Sequence, residues 1–232
     1  MSFRSVTLAA VFLACTATTA LSGAFRDAEV QLGQAYAYYR MALFQTNQKD
    51  KAATDTALAA FSARWGALST AWKTNPPPQY TDDARFIETL DAVERIASQA
   101  QAASSQGELG KAHEILEAIR DQLGALRARN GVVSFSDRMN AYHTAMEHAF
   151  DMPDMTQAVA LENAAVIAYL AKEIAGNRPL SVDAAAFDLS LRTLQDSVAA
   201  FQSAARSGDK AAIDATRKAL KQPYSRMFLR FG

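Results

Sequence analysis

The chain has 232 residues, 24 basic and 24 acidic side chains, one cysteine and a formal net charge of zero. Half of the residues are hydrophobic, and glycine and proline are sparse at 10 and 6. That composition belongs to a folded, helix-rich protein of one or two domains, and its charge balance offers neither a nucleic-acid surface nor an acidic or basic tail.

In chain order, residues 1–24 read as a targeting segment. "MSFRS" is a short basic leader with Arg4, and "VTLAAVFLACTATTALSG" is an apolar run too short and too rich in threonine to span a membrane well. Small residues in "SGA" place cleavage after Ala24. The alternative is lipid anchoring through Cys15, for which Leu13 stands where a small residue is expected. Cleavage after Ala24 leaves a mature chain with no cysteine, no disulfide and no thiolate metal site. It also removes Arg4, leaving 23 basic against 24 acidic residues. An exported, disulfide-free helical protein with no transmembrane segment in its mature chain points to a periplasm.

The mature chain reads as eight helices and no strand. The first covers 25–48 and the second 50–73, ended by "NPPP". "TDD" supplies caps for a third helix from about 82 to 105. The fourth, 109–128, carries Ile115, Leu116, Ile119, Leu123 and Leu126 on one side. Gly131 stops it, and Ser136 or Asp137 caps a fifth helix over 137–150. A sixth follows over about 155–176, a seventh over 183–206 and an eighth over 209–221, before a break at Pro223.

The eight helices fall into two sets of four. At an offset of 101, Asp82 meets Asp183, Phe86 meets Phe187, Leu90 meets Leu191, Gly107 meets Gly208 and Ala118 meets Ala219. "RNG" at 129–131 falls on "RFG" at 230–232, and Met41 falls near Met146. The expectation is an all-α fold of two tandem antiparallel four-helix bundles, 25–132 and 133–232, after the signal peptide.

The segment "DRMNAYHTAMEH", 137–148, holds two methionines, two histidines and a tyrosine. In a helix, Met139, His143 and Met146 share one face. "MNAYH" after a helix rich in Ala, Gln and Leu, the "PP" after the second helix and the glycine turn before the fourth resemble the small periplasmic four-helix b-type cytochromes (the cytochrome b/c-prime-like superfamily). The resemblance implies haem b held noncovalently between a methionine on the first helix and a histidine late in the fourth. This chain departs from that pattern, because "NAYH" opens the second bundle. In the first bundle Met41 has no histidine facing it, since His113 lies at the other end of its helix. In the second, the imidazole of His143 and the thioether of Met227, with Met139 or Met146 as alternatives, are expected to converge at one end. The family's pair is then present on exchanged helices. Haem further needs a flat slot, with Ala141, Ala145 or Ala165 giving it room.

Three readings of this stripe compete. A low-spin haem iron takes one imidazole and one thioether, which suits an electron carrier with a redox or envelope partner. Copper(I) also favours thioether and imidazole, and Met139, Met146, Met152 and Met155 lie close together in the sequence, with His143 among them. The third reading is plain core, because methionine is adaptable filler. Met41 also reads as core, and His113 as surface or boundary; His148 and Glu147 point elsewhere on the helix. No "CxxCH" attaches a c-type haem, "HTAMEH" is not the zinc-peptidase "HExxH", the di-iron Glu-x-x-His pattern is missing, and no glycine loop cradles phosphate. The chain is therefore expected not to be an enzyme. It is either a ligand-binding or electron-carrying protein with its site in the second bundle, or a ligand-free interaction or scaffold protein.

Overall fold

The computed structural model describes residues 9–179 and 182–232, with side chains from Gly23 onward. The expected export segment over 1–24, Cys15 included, thus lies almost wholly outside the described side chains. Among the described residues the fold is all-helical with no strand. It comprises α1 (Ala9–Gln48), α2 (Lys51–Thr74), α3 (Phe86–Ser105), α4 (Leu109–Arg129), α5 (Phe135–Asp151), α6 (Gln157–Ala175), α7 (Ala184–Ser207), α8 (Lys210–Ala219) and α9 (Lys221–Phe231), with a 3-10 turn at Pro78–Tyr80. None of the described helices is long and apolar enough to cross a membrane. The chain divides into two compact units, Met1–Val132 and Val133–Gly232.

Local chemistry sets the boundaries. Asp50, Thr156, Asp183 and Asp209 each accept a backbone N–H with their side chains at the starts of α2, α6, α7 and α8. Gly107 and Gly208 follow α3 and α7 with φ of 81° and 72°, a left-handed conformation that closes a helix and strains any L side chain. Three boundaries differ from expectation. α5 starts earlier, because Ser134 forms a capping box: its hydroxyl accepts the Asp137 N–H, and the Asp137 carboxylate accepts the Ser134 N–H at 2.8 Å. α3 starts later, at Phe86, because the Asp83 carboxylate accepts the Arg85 N–H at 2.9 Å and holds the chain in a turn. Pro223 ends nothing. It stands in the first turn of α9, where a missing N–H costs no hydrogen bond, and the bend falls at Leu220 between α8 and α9.

In the first unit α1 packs on α2 and α4, α2 on α3, and α3 on α4. Side-chain contacts set the directions. Lys73 late in α2 pairs with Asp91 early in α3 at 2.6 Å, and Asp55 early in α2 accepts from Ser104 late in α3 at 2.6 Å. Thr46 late in α1 meets His113 early in α4 at 2.7 Å. Neighbouring helices in these pairs therefore run antiparallel. The interior is aromatic. Tyr36, Tyr39, Phe61 and Trp65 form a run of rings 4.7–6.0 Å apart, and the buried indole of Trp65 donates to the Leu90 carbonyl at 3.2 Å. Met41 is not core: it is 39% exposed, and its sulfur accepts from Gln45 at 3.5 Å. The inward face of α1 is set by Leu32, Tyr36, Tyr39 and Leu43, which turns Met41 outward.

In the second unit α5 packs on α6, α8 and α9, α6 on α7, and α7 on α8 and α9. Gln157 at the start of α6 donates to the Arg206 carbonyl near the end of α7 at 3.1 Å, so these two helices are antiparallel.

Candidate functional site

α5 buries Met139, Tyr142, Met146 and Ala149, at i, i+3, i+7 and i+10. The stripe is real, but its centre is Tyr142. His143, one residue on, sits at the border with its side chain 13% exposed. Its Nε2 lies 3.0 Å from the Glu147 carboxylate one turn further along, and Glu147 is largely solvated. The imidazole face lies on the ring of Tyr224 of α9, with centroids 5.1 Å apart. Tyr224 also stacks on Tyr142 at 5.7 Å and 9°, and on Phe228 at 5.7 Å.

The facing levels of α5 and α9 follow from these contacts. Phe135 and Phe231 both pack edge-on against Phe187, and Tyr142 and His143 meet Tyr224, while just before α9 Arg217 of α8 meets the Ala149 carbonyl. The helices therefore run antiparallel, and Met227, one turn beyond Tyr224, is level with Met139 rather than with His143. Met139 and Met227 are both fully buried, Met146 is 1% exposed and Met155 4%. Met152 stands at the end of α5, partly exposed, with its sulfur accepting from Asn163 at 3.9 Å. His148 is exposed, away from the others. His113, in the first unit, is half-buried against Thr46. Among the described residues no three His, Cys, Asp or Glu side chains gather as a metal-binding group.

The room expected for haem lies elsewhere. Ala141 and Ala165 are exposed and Ala145 is at the boundary, so these small residues flank no interior slot. The interior facing α9 is occupied by the Tyr142–Tyr224–Phe228 stack, whose rings take the place a porphyrin needs beside His143. The residues present do not fit haem b in this packing.

Two features of this region concern buried polar groups. Tyr142 is fully buried, its hydroxyl meets no hydrogen-bond partner, and burial drives its pKa up. Arg217 is 8% exposed, and its Nη1 donates to the carbonyls of Ala149, Phe150 and Met152 at 2.8, 3.1 and 3.0 Å, closing the end of α5. A third feature is outward. α6, "QAVALENAAVIAYLAKEIA", is apolar on both sides. It buries Ala160, Ala164, Ile167, Ala171 and Ile174, yet leaves Leu161, Val166 and Tyr169 exposed at 42, 52 and 61%. That pattern was visible in the sequence as a helix with hardly a polar face.

No family model, curated protein or solved structure matches the chain. The resemblance to b-type cytochromes therefore rests on the short motifs alone.

Proposed function

We propose that this chain is a non-enzymatic, exported tandem of two antiparallel four-helix bundles that works by docking a partner rather than by holding a cofactor. The internal duplication is supported by burial at matching positions. Tyr36, Tyr39, Leu43 and Thr46 of α1 correspond, at an offset of 103, to Met139, Tyr142, Met146 and Ala149 of α5, and all eight are buried. At an offset of 101, Val93, Ala100, Ile119, Leu123 and Leu126 correspond to Leu194, Phe201, Leu220, Tyr224 and Met227, again all buried. Arg40 then takes in the first unit the place of His143 in the second. It lies 5.7 Å from the Tyr36 ring, and burial pulls its pKa down to about 10, which leaves it charged at neutral pH.

The observation that carries the docking reading is the outward face of α6. Leu161, Val166 and Tyr169 sit in water on one helix, with Ala158 and Ala165 exposed among them. Exposed apolar residues gathered on one face mark interaction sites. A photo-crosslinking residue at position 169, irradiated in living cells, should give a discrete adduct, whereas one at Thr193, exposed on α7, should give none. Absence of an adduct from position 169 overturns the reading.

A second reading is favoured by the burial of both Met139 and Met227, which the register of α5 against α9 puts at one level. Two thioethers so placed suit a copper(I) ion, with Met146 the next sulfur along α5. Metal analysis of protein purified from copper-supplemented cells decides it: about one equivalent of copper, lost on Met227→Leu, establishes that site.

A further inference from the structure

We infer that the occupant of the α6 face is a second copy of this chain, the two α6 helices crossing antiparallel about a two-fold axis near Ala165. This rests on the docking reading above and names its partner. The argument is self-complementarity. The charged residues exposed on α6 are Glu162 toward its start and Lys172 toward its end, with Glu173 half-buried beside the latter. An antiparallel pair sets each Glu162 about one turn from the other copy's Lys172, twice over, whereas a parallel pair opposes like charges.

The apolar residues match under the same operation. Leu161 of one copy faces Tyr169 of the other, and Ala165 faces itself. A methyl group at the axis lets two helices approach closely, since interaxial distance follows the side chains at the contact. The patch also extends beyond α6. Because α6 and α7 run antiparallel, Leu189, 60% exposed in the first part of α7, is level with the later half of α6. A lipid surface is a poorer occupant, because helices that lie on membranes border their apolar face with lysine and arginine, and here one acid and one base stand there.

Sedimentation of the full mature chain over a concentration series should show a monomer–dimer equilibrium. Lys172→Glu should weaken it on the order of tenfold, as two exposed ion pairs turn repulsive. Adding Glu162→Lys to that variant restores opposite charges across the axis and should restore association. Both positions are exposed, so unchanged melting curves confirm that the fold is spared. A photo-crosslinker at Ala165 should yield an adduct of twice the chain mass. A monomer at every soluble concentration, or a double variant no better than the single one, overturns the second copy. A discrete adduct of some other mass from position 165 or 169 also overturns the second copy but leaves the docking reading standing. No adduct at either position removes both.

Discussion

Arg217 ties α8 to the end of α5. One nitrogen serves three carbonyls at the end of α5, and Nε donates to Asp214 at 2.9 Å. The last carbonyls of a helix have no partner within it, so a guanidinium supplied from α8 stands in for a C-terminal cap. Arg217→Met keeps the stem and removes these bonds; the loss should be about 2–4 kcal/mol of unfolding free energy, read by urea denaturation. Tyr142 makes the opposite case. Its buried hydroxyl has no partner, so Tyr142→Phe should leave stability unchanged or raise it by up to about 1 kcal/mol, whereas a clear loss in the same assay would show a hidden bond. In the first unit Asp83 joins the α3 entry to the end of α4. Burial by itself would raise its pKa, but bonds from Asn130 at 2.9 Å, the Arg85 N–H and Arg129 at 2.8 Å together hold it below the ordinary 3.8. A pKa lower in the folded state stabilises above the unfolded value and is lost as pH falls through the folded one. The stability of the native chain should therefore drop below about pH 3.8 with a component that Asp83→Asn removes, and identical acid limbs for the two proteins would contradict this. At this scale the sequence showed the methionine stripe but left open whether it is a ligand set around His143 or plain core. Met139 and Met146 share a helical face with either Tyr142 or His143, which differ by only about 100° around the axis. Tyr224 meets both rings, so only the packing of the whole unit decides which of the two faces inward.

Helices were the most legible level, because their punctuation is local. Gly131 stands just past α4 with a φ of 67°, where a stop is expected, and α7 and α8 begin within a residue of the expected 183 and 209. Gly208 combines a φ of 72° with Gln157 side-chain atoms 3.0 Å from where a Cβ would stand, while Gly107, with a φ of 81°, has open space around it. Gly107→Ala should cost about 1 kcal/mol for backbone strain alone. Gly208→Ala should cost more, because the Gln157 amide must also leave the Arg206 carbonyl, and equal melting temperatures for the two variants would contradict that. What misled was proline. Pro223 reads as a break, yet in the first turn of a helix its missing N–H has no bond to lose. α6 misled differently: eight helices sufficient for two closed sets gave no reason to ask which side of an apolar helix stays outside.

For the whole molecule, all-helical organisation was legible from periodicity and turns alone, as burial recurring every three to four residues shows in both units. The levels at which facing helices meet were not legible, because they depend on turn lengths and packing rather than on either helix's own sequence. That is why His143 and Met227 looked like a converging pair, while the structure sets Tyr224 against His143. The stacked rings of Tyr142, Tyr224 and Phe228 occupy the space beside His143 that haem would need. The most direct measurement is a haem titration of the purified mature protein, followed by absorption spectroscopy with metal analysis on the untreated sample. We expect no shifted Soret band, no saturation at one equivalent and no stoichiometric metal. A Soret band saturating at one equivalent of haem b and abolished by His143→Ala would contradict a core closed by Tyr142, Tyr224 and Phe228.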